Sequence, residues 1–141
     1  MMPGDVNNLG HVFGGVILSL VDKTAAVTAM RHARGPCVTV SIDKVDFKEP
    51  IYSGELVTCS ARINFVGTTS MEVGVKVVTE HPITGVTRHT NDCFLTFVAV
   101  GENSRPISVP GLELSTKEDR RRFEEGKRRR QLRRELAEEL G

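Results

Sequence analysis

The pattern of apolar and polar positions predicts one helix followed by four strands. From Gly15 to His32 the chain has no internal glycine or proline, and apolar residues fall on almost every side of the predicted helix. A helix that is apolar all round is usually enclosed by other structure, so we expect this helix at the centre of the fold. The residues that set this pattern are Val16, Ile17, Leu18, Leu20, Val21, Ala25, Ala26, Val27, Ala29 and Met30.

Strand patterns follow at residues 37–48, 55–66, 70–79 and 86–100. The second segment alternates most regularly, with every other residue apolar. In the first segment the alternation slips near Asp43-Lys44, which predicts a β-bulge. The last segment ends in a stretch that is apolar on both faces and is therefore expected at the centre of the sheet. One helix with four mostly antiparallel strands indicates an α+β fold, and a curved sheet wrapped around the helix would bury all of its sides.

The charge distribution divides the chain near Pro110-Gly111. Residues 1–111 hold nine Lys/Arg and ten Asp/Glu, whereas residues 112–141 hold ten and eight. We therefore predict a folded domain over 1–111 and a charged helical extension over 112–141. Ser115 and Glu118 are placed as a capping box for that helix. Its apolar stripe is thin and predicts a solvated helix with weak docking: Phe123, Leu132, Leu136 and Leu140.

Composition limits the cellular context and the available chemistry. No apolar run reaches the roughly 20 residues of a membrane span, and the first residues lack the pattern of a signal peptide. The three cysteines, Cys37, Cys59 and Cys93, are widely spaced in apolar segments and are interpreted as reduced core residues of a cytoplasmic protein. The four histidines have no metal-ligand spacing, so no metal site is expected.

Asp22 is the strongest candidate for chemistry because it lies in the middle of the apolar helix, where an unpaired carboxylate would cost several kcal/mol. Ser19 and Ala26 share its helix face, and these small residues would suit the wall of a cleft. The alternative is that Asp22 pairs with Lys23 or faces solvent.

Gly14 and Gly15 stand directly before the helix. Glycines at a helix start allow a substrate to approach backbone N–H groups that have no intrahelical partner, and such groups stabilise a developing oxyanion. A tight turn that simply needs glycine is the alternative reading of the same residues.

The order of these motifs resembles the signature of hotdog-fold acyl-CoA thioesterases, in particular the YciA-type bacterial enzymes and the cytosolic long-chain acyl-CoA hydrolases. Asn7, Gly10, Phe13, Gly14 and Gly15 precede Asp22 in GGVILSLVD. Further matches are VTVSIDKVDFKEPIYSGELV, VGTTSMEV and FLTFVAV, so the resemblance covers about residues 2–105.

The resemblance implies a site between two hotdog subunits that hydrolyses acyl-CoA without a metal or redox cofactor. Asp22 would act as general base or attack the thioester directly, and Asn7 of the other subunit would orient water or the carbonyl. The N–H groups near Gly14 and Gly15 would polarise that carbonyl. The Gly67-Thr68-Thr69-Ser70 turn would hold coenzyme A, and the subunits would form dimers, grouped as a trimer of dimers.

Three features depart from the family pattern. The strand that family members carry before the Asn7 loop is absent from this sequence, Phe13 replaces a histidine common in hotdog thioesterases, and Thr68 replaces an arginine typical of the YciA-type turn.

Other functions fit the sequence less well. A hotdog hydratase would need an Asp–His pair that this chain lacks at the expected site. A non-catalytic acyl-CoA sensor is a further alternative. The arginine clusters of the tail could contact CoA phosphates, anionic lipid or nucleic acid, but interleaved glutamates and the lack of aromatic residues favour a solvated helix. We therefore expect neither a nucleic acid nor a membrane partner. The acyl chain length is not predicted.

Overall fold

A computed structural model of the protein describes residues 14–140. Its main elements follow the predicted order of one helix, four strands and a C-terminal helix, with a short 3-10 turn at Glu102–Ser104. The bounds are α1 Gly14–Ala33, β1 Cys37–Phe47, β2 Leu56–Val66, β3 Ser70–Glu80, β4 Thr87–Ala99 and α2 Lys117–Leu140.

The four strands form one antiparallel sheet in the order β1-β4-β3-β2. The central position of β4 agrees with its apolar pattern on both faces. The predicted bulge is confirmed by a register shift between Ile42 and Lys44, and a second shift lies between Thr39 and Ser41. These shifts kink β1, which stands at one edge of the sheet, and β2 stands at the other.

The main core lies between α1 and the inner face of the sheet. One side of α1 presents Ile17, Val21, Ala25 and Ala29 at four-residue intervals, and each is 2% exposed or less. Alternate residues of β3 and β4 meet them because successive side chains of a strand point to opposite faces. Burying an aliphatic side chain of this kind contributes roughly 1.5–3 kcal/mol. The strand residues of this core are Met71, Val73, Val75, Val77, Cys93, Leu95, Phe97 and Ala99.

The opposite side of α1 is not enclosed, so the expectation of a fully buried helix is wrong for the single chain. Leu20 is 36%, Met30 39% and Val27 44% exposed. The sheet covers one side of the helix and leaves the other apolar side uncovered by residues 14–140. The apolar residues on this side of α1 therefore need a surface other than the sheet of the same chain to cover them.

The outer face of the sheet carries α2, which docks more closely than predicted. The rings of Phe65 and Phe123 have centroids 4.9 Å apart. Gly126 is buried, and a Cβ atom at that position would lie 2.8 Å from Cβ of Phe65. Helix and strand thus approach so closely that only glycine fits between them without displacement.

A buried ion pair fixes the middle of α2. Glu72 of β3 is 4% exposed, and Arg129 donates to both of its carboxylate oxygens at 2.6 and 2.9 Å. Nδ2 of Asn64 donates to the same carboxylate at 3.1 Å. The Arg129 guanidinium also stacks 3.8 Å from the centroid of Phe94. Bidentate geometry and full hydrogen bonding make the burial of these charges tolerable.

The prediction of a solvated, weakly docked tail is therefore wrong, and so is most of its proposed contact stripe. Leu132, Leu136 and Leu140 are 50%, 55% and 81% exposed, whereas Phe123 does contact the sheet. The helix docks through arginine side chains, whose aliphatic stems and flat guanidinium groups cover apolar surface.

The predicted capping box is displaced by one residue. Thr116 Oγ1 accepts a hydrogen bond from the Asp119 N–H at 3.0 Å, and the Asp119 carboxylate accepts from the N–H groups of Ser115 and Thr116. The pKa of Asp119 is lowered chiefly by these two backbone donors. Ser115 and Glu118 offered the same spacing, but α2 begins at Lys117, which makes Thr116 the N-cap.

The three cysteines are free thiols, and Cys93 is buried. Burial raises the pKa of Cys93 to about 11, so this thiol stays protonated at neutral pH. Within residues 14–140 no group of three or more His, Cys, Asp or Glu side chains is placed to hold a metal ion. In that same range no helix is long and apolar enough to cross a membrane.

Candidate active site

Asp22 lies half-buried on α1, between the covered and the exposed sides of the helix. Its Oδ1 atom accepts a hydrogen bond of 2.8 Å from Oγ1 of Thr39 on the edge strand β1. The carboxylate is thus neither fully buried in the core nor paired with Lys23. One oxygen is held by a hydroxyl, and within residues 14–140 the second has no hydrogen-bond partner and could accept a proton.

Thr39 is a site residue that the sequence reasoning missed. It stands opposite Phe97 of β4, whose side chain belongs to the core, so Thr39 points toward α1. In the sequence it is one of several polar residues that alternate along a strand. Only the register of β1 against α1 distinguishes it from its neighbours, and periodicity does not supply that register.

Gly14 and Gly15 form the start of α1, as the sequence predicted. The first N–H groups of a helix lack intrahelical acceptors and carry the positive end of the helix dipole. Gly14 precedes Asp22 by eight residues, which corresponds to about 12 Å along the axis at 1.5 Å per residue. A carboxylate and these amides on the same helix are therefore too far apart to act on one carbonyl group.

The Gly67–Ser70 turn joins β2 to β3 at the same end of the sheet as Thr39. The Gly67 N–H donates to the Ser70 carbonyl at 2.8 Å. Thr39 faces Phe97, which in turn faces Met71 beside the turn. Two strand spacings separate Thr39 from Met71, a distance of roughly 10 Å. The Asp22–Thr39 pair and the turn thus lie at the same end of the sheet, with strand β4 between them.

Two further backbone bonds anchor this turn from beneath. The carbonyl groups of Thr68 and Thr69 accept hydrogen bonds from the N–H groups of Val109 and Ala99 at 2.9 and 3.0 Å. The turn is consequently fixed in place. Asn7, the remaining predicted site residue, lies outside the described residues.

An exposed apolar surface borders the Asp22–Thr39 pair. On the edge strand β1, Ile42, Val38 and Val40 are 42%, 45% and 55% exposed, and further exposed apolar side chains lie on the uncovered side of α1. An edge strand offers unpaired backbone groups to a further strand, and exposed large apolar side chains beside it are typical of a protein interface. The candidate site therefore lies beside a surface suited to another protein chain.

Fold and candidate site together define a hotdog-type protein with a half-buried carboxylate in the middle of the helix that packs on the sheet. Residues 9–86 match the model of the Thioesterase superfamily. An acyl-CoA thioester hydrolase of Bacillus subtilis is 42% identical over 119 residues, which cover 84% of this chain and 69% of that protein. This chain belongs to the thioesterase superfamily.

A human relative, the cytosolic acyl coenzyme A thioester hydrolase, is 34% identical over 129 residues. The match covers 90% of this chain and 34% of the human protein, so the chain spans about a third of that relative's length.

Solved structures agree with this assignment. An apo-hexameric acyl-CoA thioesterase superposes with a TM-score of 0.92 at 41% identity, covering 97% of this chain and 88% of that one. An acyl-CoA hydrolase of Staphylococcus aureus, in complex with butyryl coenzyme A, coenzyme A and coenzyme A disulfide, has a TM-score of 0.89 at 31% identity and covers 99% and 87%. The predictions of family, hotdog fold and thioester hydrolase class are confirmed.

Proposed function

We propose that this chain hydrolyses acyl-CoA with Asp22 as general base, at a site shared between two subunits. Asp22 accepts a proton from water while the water oxygen bonds to the thioester carbonyl carbon. The tetrahedral intermediate then breaks its C–S bond, and the departing sulfur takes up the proton, giving a carboxylic acid and free coenzyme A. The observation that carries the proposal is the half-buried Asp22 carboxylate, of which Thr39 holds one oxygen while the described residues offer no partner to the other.

The Staphylococcus aureus hydrolase supports the choice of residues. Its structures include variants in which an asparagine, an aspartate fifteen positions later, and a threonine seventeen positions beyond that are each replaced by alanine. Asn7, Asp22 and Thr39 have the same spacing here. We assign Thr39 the role of orienting the Asp22 carboxylate, and Asn7 that of orienting the water or the carbonyl.

The geometry of α1 supports a site built from two chains. Because about 12 Å separates Gly14 from Asp22 on one helix, the amide donors for a given carbonyl must come from elsewhere than the helix that supplies its base. In our proposal the N–H groups of Gly14 and Gly15 in one subunit polarise the thioester carbonyl. Asp22 of the other subunit then activates the water.

The exposed apolar surface supports a second copy of this chain as the partner. The edge strand β1 and the uncovered side of α1 together carry at least six exposed large apolar residues. Pairing of two copies through β1 would cover this surface and extend the sheet. Hexameric structural neighbours support a trimer of dimers as the complete assembly.

Coenzyme A is the nucleotide-bearing half of the substrate, and we place it at the Gly67-Thr68-Thr69-Ser70 turn. The turn stands near Asp22 and is fixed by backbone hydrogen bonds, as a binding surface for a long, flexible ligand requires. No further cofactor is needed for the reaction as written. A cytoplasmic location, where acyl-CoA is made and used, remains our prediction.

The proposal is tested by replacing Asp22 and Thr39. Asp22→Asn keeps the shape of the side chain but removes the base, and we expect kcat to fall on the order of 10²-fold or more. Thr39→Val should reduce kcat less, because Asp22 remains and only its orientation is lost. Release of free thiol from acyl-CoA measures both.

Glu80→Gln is the matched control, since it makes the same carboxylate-to-amide change at an exposed position at the far end of β3. A folded Asp22→Asn protein with undiminished kcat would contradict the proposed base. If the wild-type protein binds acyl-CoA but releases no thiol, the non-catalytic sensor is the correct reading.

A further inference from the structure

Arg130 of α2 lies against the turn that we assign to coenzyme A. A Cβ atom placed on Gly67 would be 3.4 Å from Cζ and 3.5 Å from Nη1 of Arg130. The guanidinium also stands 5.6 Å from the ring centroid of Phe65, the residue two positions before Gly67. The C-terminal helix therefore places a cation beside the turn of its own chain.

Two other arginines near Arg130 on α2 form ion pairs with acidic side chains. Arg129 is bound to Glu72, and Arg133 is bound to Asp43 of β1. Within residues 14–140, Arg130 has no comparable ion pair, although its side chain is only partly exposed. A partly buried guanidinium without a carboxylate is costly unless an anion binds there.

The electrostatic surroundings of Arg130 favour an anion. Partial burial, followed by the charges of Arg134 and Arg133, lowers the pKa of the Arg130 guanidinium. The group nevertheless remains protonated at neutral pH, since an arginine starts from a very high value. An arriving phosphate would relieve the repulsion among the three arginines.

A second group of arginines lies in the cleft between α2 and the sheet, and most of them differ from Arg130 in having carboxylate partners. A cleft of about 430 Å³ beneath α2 is lined by Arg62, Arg121, Arg122 and Arg129 among others. Three of these arginines already contact carboxylates of residues 14–140: Arg121, Arg122 and Arg129. The fourth, Arg62, is exposed to solvent, whereas Arg130 is partly buried beside the turn.

We propose that Arg130 is a substrate-binding residue for the phosphate groups of coenzyme A held at the Gly67–Ser70 turn of the same chain. The cation comes from α2, 60 residues or more further along the chain than the turn. This inference rests on the proposed function, because it assumes that the turn binds coenzyme A. Guanidinium groups bind phosphate through charge-assisted, often bidentate hydrogen bonds.

The experiment compares two substrates that share the thioester but differ in the nucleotide. For Arg130→Ala we expect KM for acyl-CoA to rise roughly tenfold, the loss of one charge-assisted contact, with kcat unchanged. KM for the matching acyl-pantetheine, which lacks the nucleotide phosphates, should not change. Arg130→Lys should restore part of the affinity, because it returns the charge without the planar fork.

Arg128→Ala is the matched control, since Arg128 is an exposed arginine of the same helix. Adenosine 3′,5′-bisphosphate, used as a competitive inhibitor, gives a readout that does not depend on turnover of the variant. Its inhibition constant should rise with Arg130→Ala and not with Arg128→Ala. Thermal unfolding of each variant checks that α2 remains docked.

The possible outcomes are distinct. An equal rise in KM for both substrates, or unchanged inhibition by the bisphosphate, would overturn the role of Arg130 and leave the proposed hydrolysis intact. Failure of the wild-type protein to hydrolyse either thioester would instead contradict the proposed function itself.

Discussion

The two faces of the sheet hold their helices by different physical means. On the inner face, α1 presents aliphatic side chains at four-residue intervals to a set of fully buried strand residues. On the outer face, α2 is fixed by one aromatic pair, a buried glycine and a bidentate arginine–glutamate pair. The first face depends on area removed from water, and the second on the geometry of a few contacts.

This difference explains why hydrophobic periodicity predicts that α1 packs in the core but does not predict how α2 docks. Hydrophobic periodicity finds apolar stripes, and the stripe of α2 consists of leucines that remain exposed. In the sequence, an arginine that buries its stem and stacks on Phe94 cannot be distinguished from a solvated arginine. The partner that distinguishes them, Glu72, is 57 residues away in the chain.

The largest effect on stability should come from the inner face. Leu95 is completely buried, and Leu95→Ala removes its apolar contacts and leaves a cavity, so we expect a loss of about 3 kcal/mol in the free energy of unfolding. Urea unfolding measures the change. Leu132→Ala is the control and should change stability by less than about 0.5 kcal/mol because Leu132 is half exposed. Equal losses in the two variants would contradict the assignment of the core.

A smaller loss is expected when the ion pair of the outer face is broken. Arg129→Met keeps much of the aliphatic stem but leaves the Glu72 carboxylate buried with Asn64 as its remaining side-chain donor. We expect about 2 kcal/mol, below the cost for a fully buried pair, because the Arg129 side chain is still 24% exposed.

The double variant Glu72→Gln with Arg129→Met completes a cycle for this pair. It should be more stable than Arg129→Met alone, since no uncompensated charge remains. If the double variant loses the sum of the two single effects, Glu72 and Arg129 are not coupled, and the docking of α2 depends on other contacts.

The smallest effect tests the close approach of α2 to β2. Gly→Ala inside a helix normally stabilises by about 1 kcal/mol. At Gly126 the added Cβ would meet Cβ of Phe65 at 2.8 Å, and displacing packed atoms costs about 1–3 kcal/mol. We therefore expect Gly126→Ala to destabilise the protein by about 1 kcal/mol in thermal or urea unfolding. An increase in stability would mean that α2 does not press against Phe65.

Much of the fold and part of the site could be predicted from the sequence. The elements, the bulge after Ile42 and the central position of β4 follow from alternation and from turn residues. Asp22 was identified because a carboxylate in an apolar helix needs an explanation. These features depend on residues close together in the chain, so periodicity and turn residues are enough to predict them.

The rest depends on contacts between distant segments. Thr39 is a candidate site residue only because of the register of β1 against α1, and Arg130 only because α2 docks beside Gly67. The displaced cap at Thr116 has a different cause, since two residues offered equivalent spacing and the actual start of α2 decided between them. The sequence pattern predicts that the second apolar side of α1 is buried, but it does not indicate which surface covers that side.

The central claim is that hydrolysis requires Asp22 and Asn7 from different subunits, and co-expression of two inactive variants tests it most directly. In the proposed dimer, homodimers of Asp22→Ala or of Asn7→Ala should have little activity, whereas a mixed dimer would contain one site with both residues intact. For random pairing we expect about a quarter of the wild-type kcat in the purified mixture. Activity no higher than that of the separate variants, in mixed dimers confirmed by two affinity tags, would contradict the shared site.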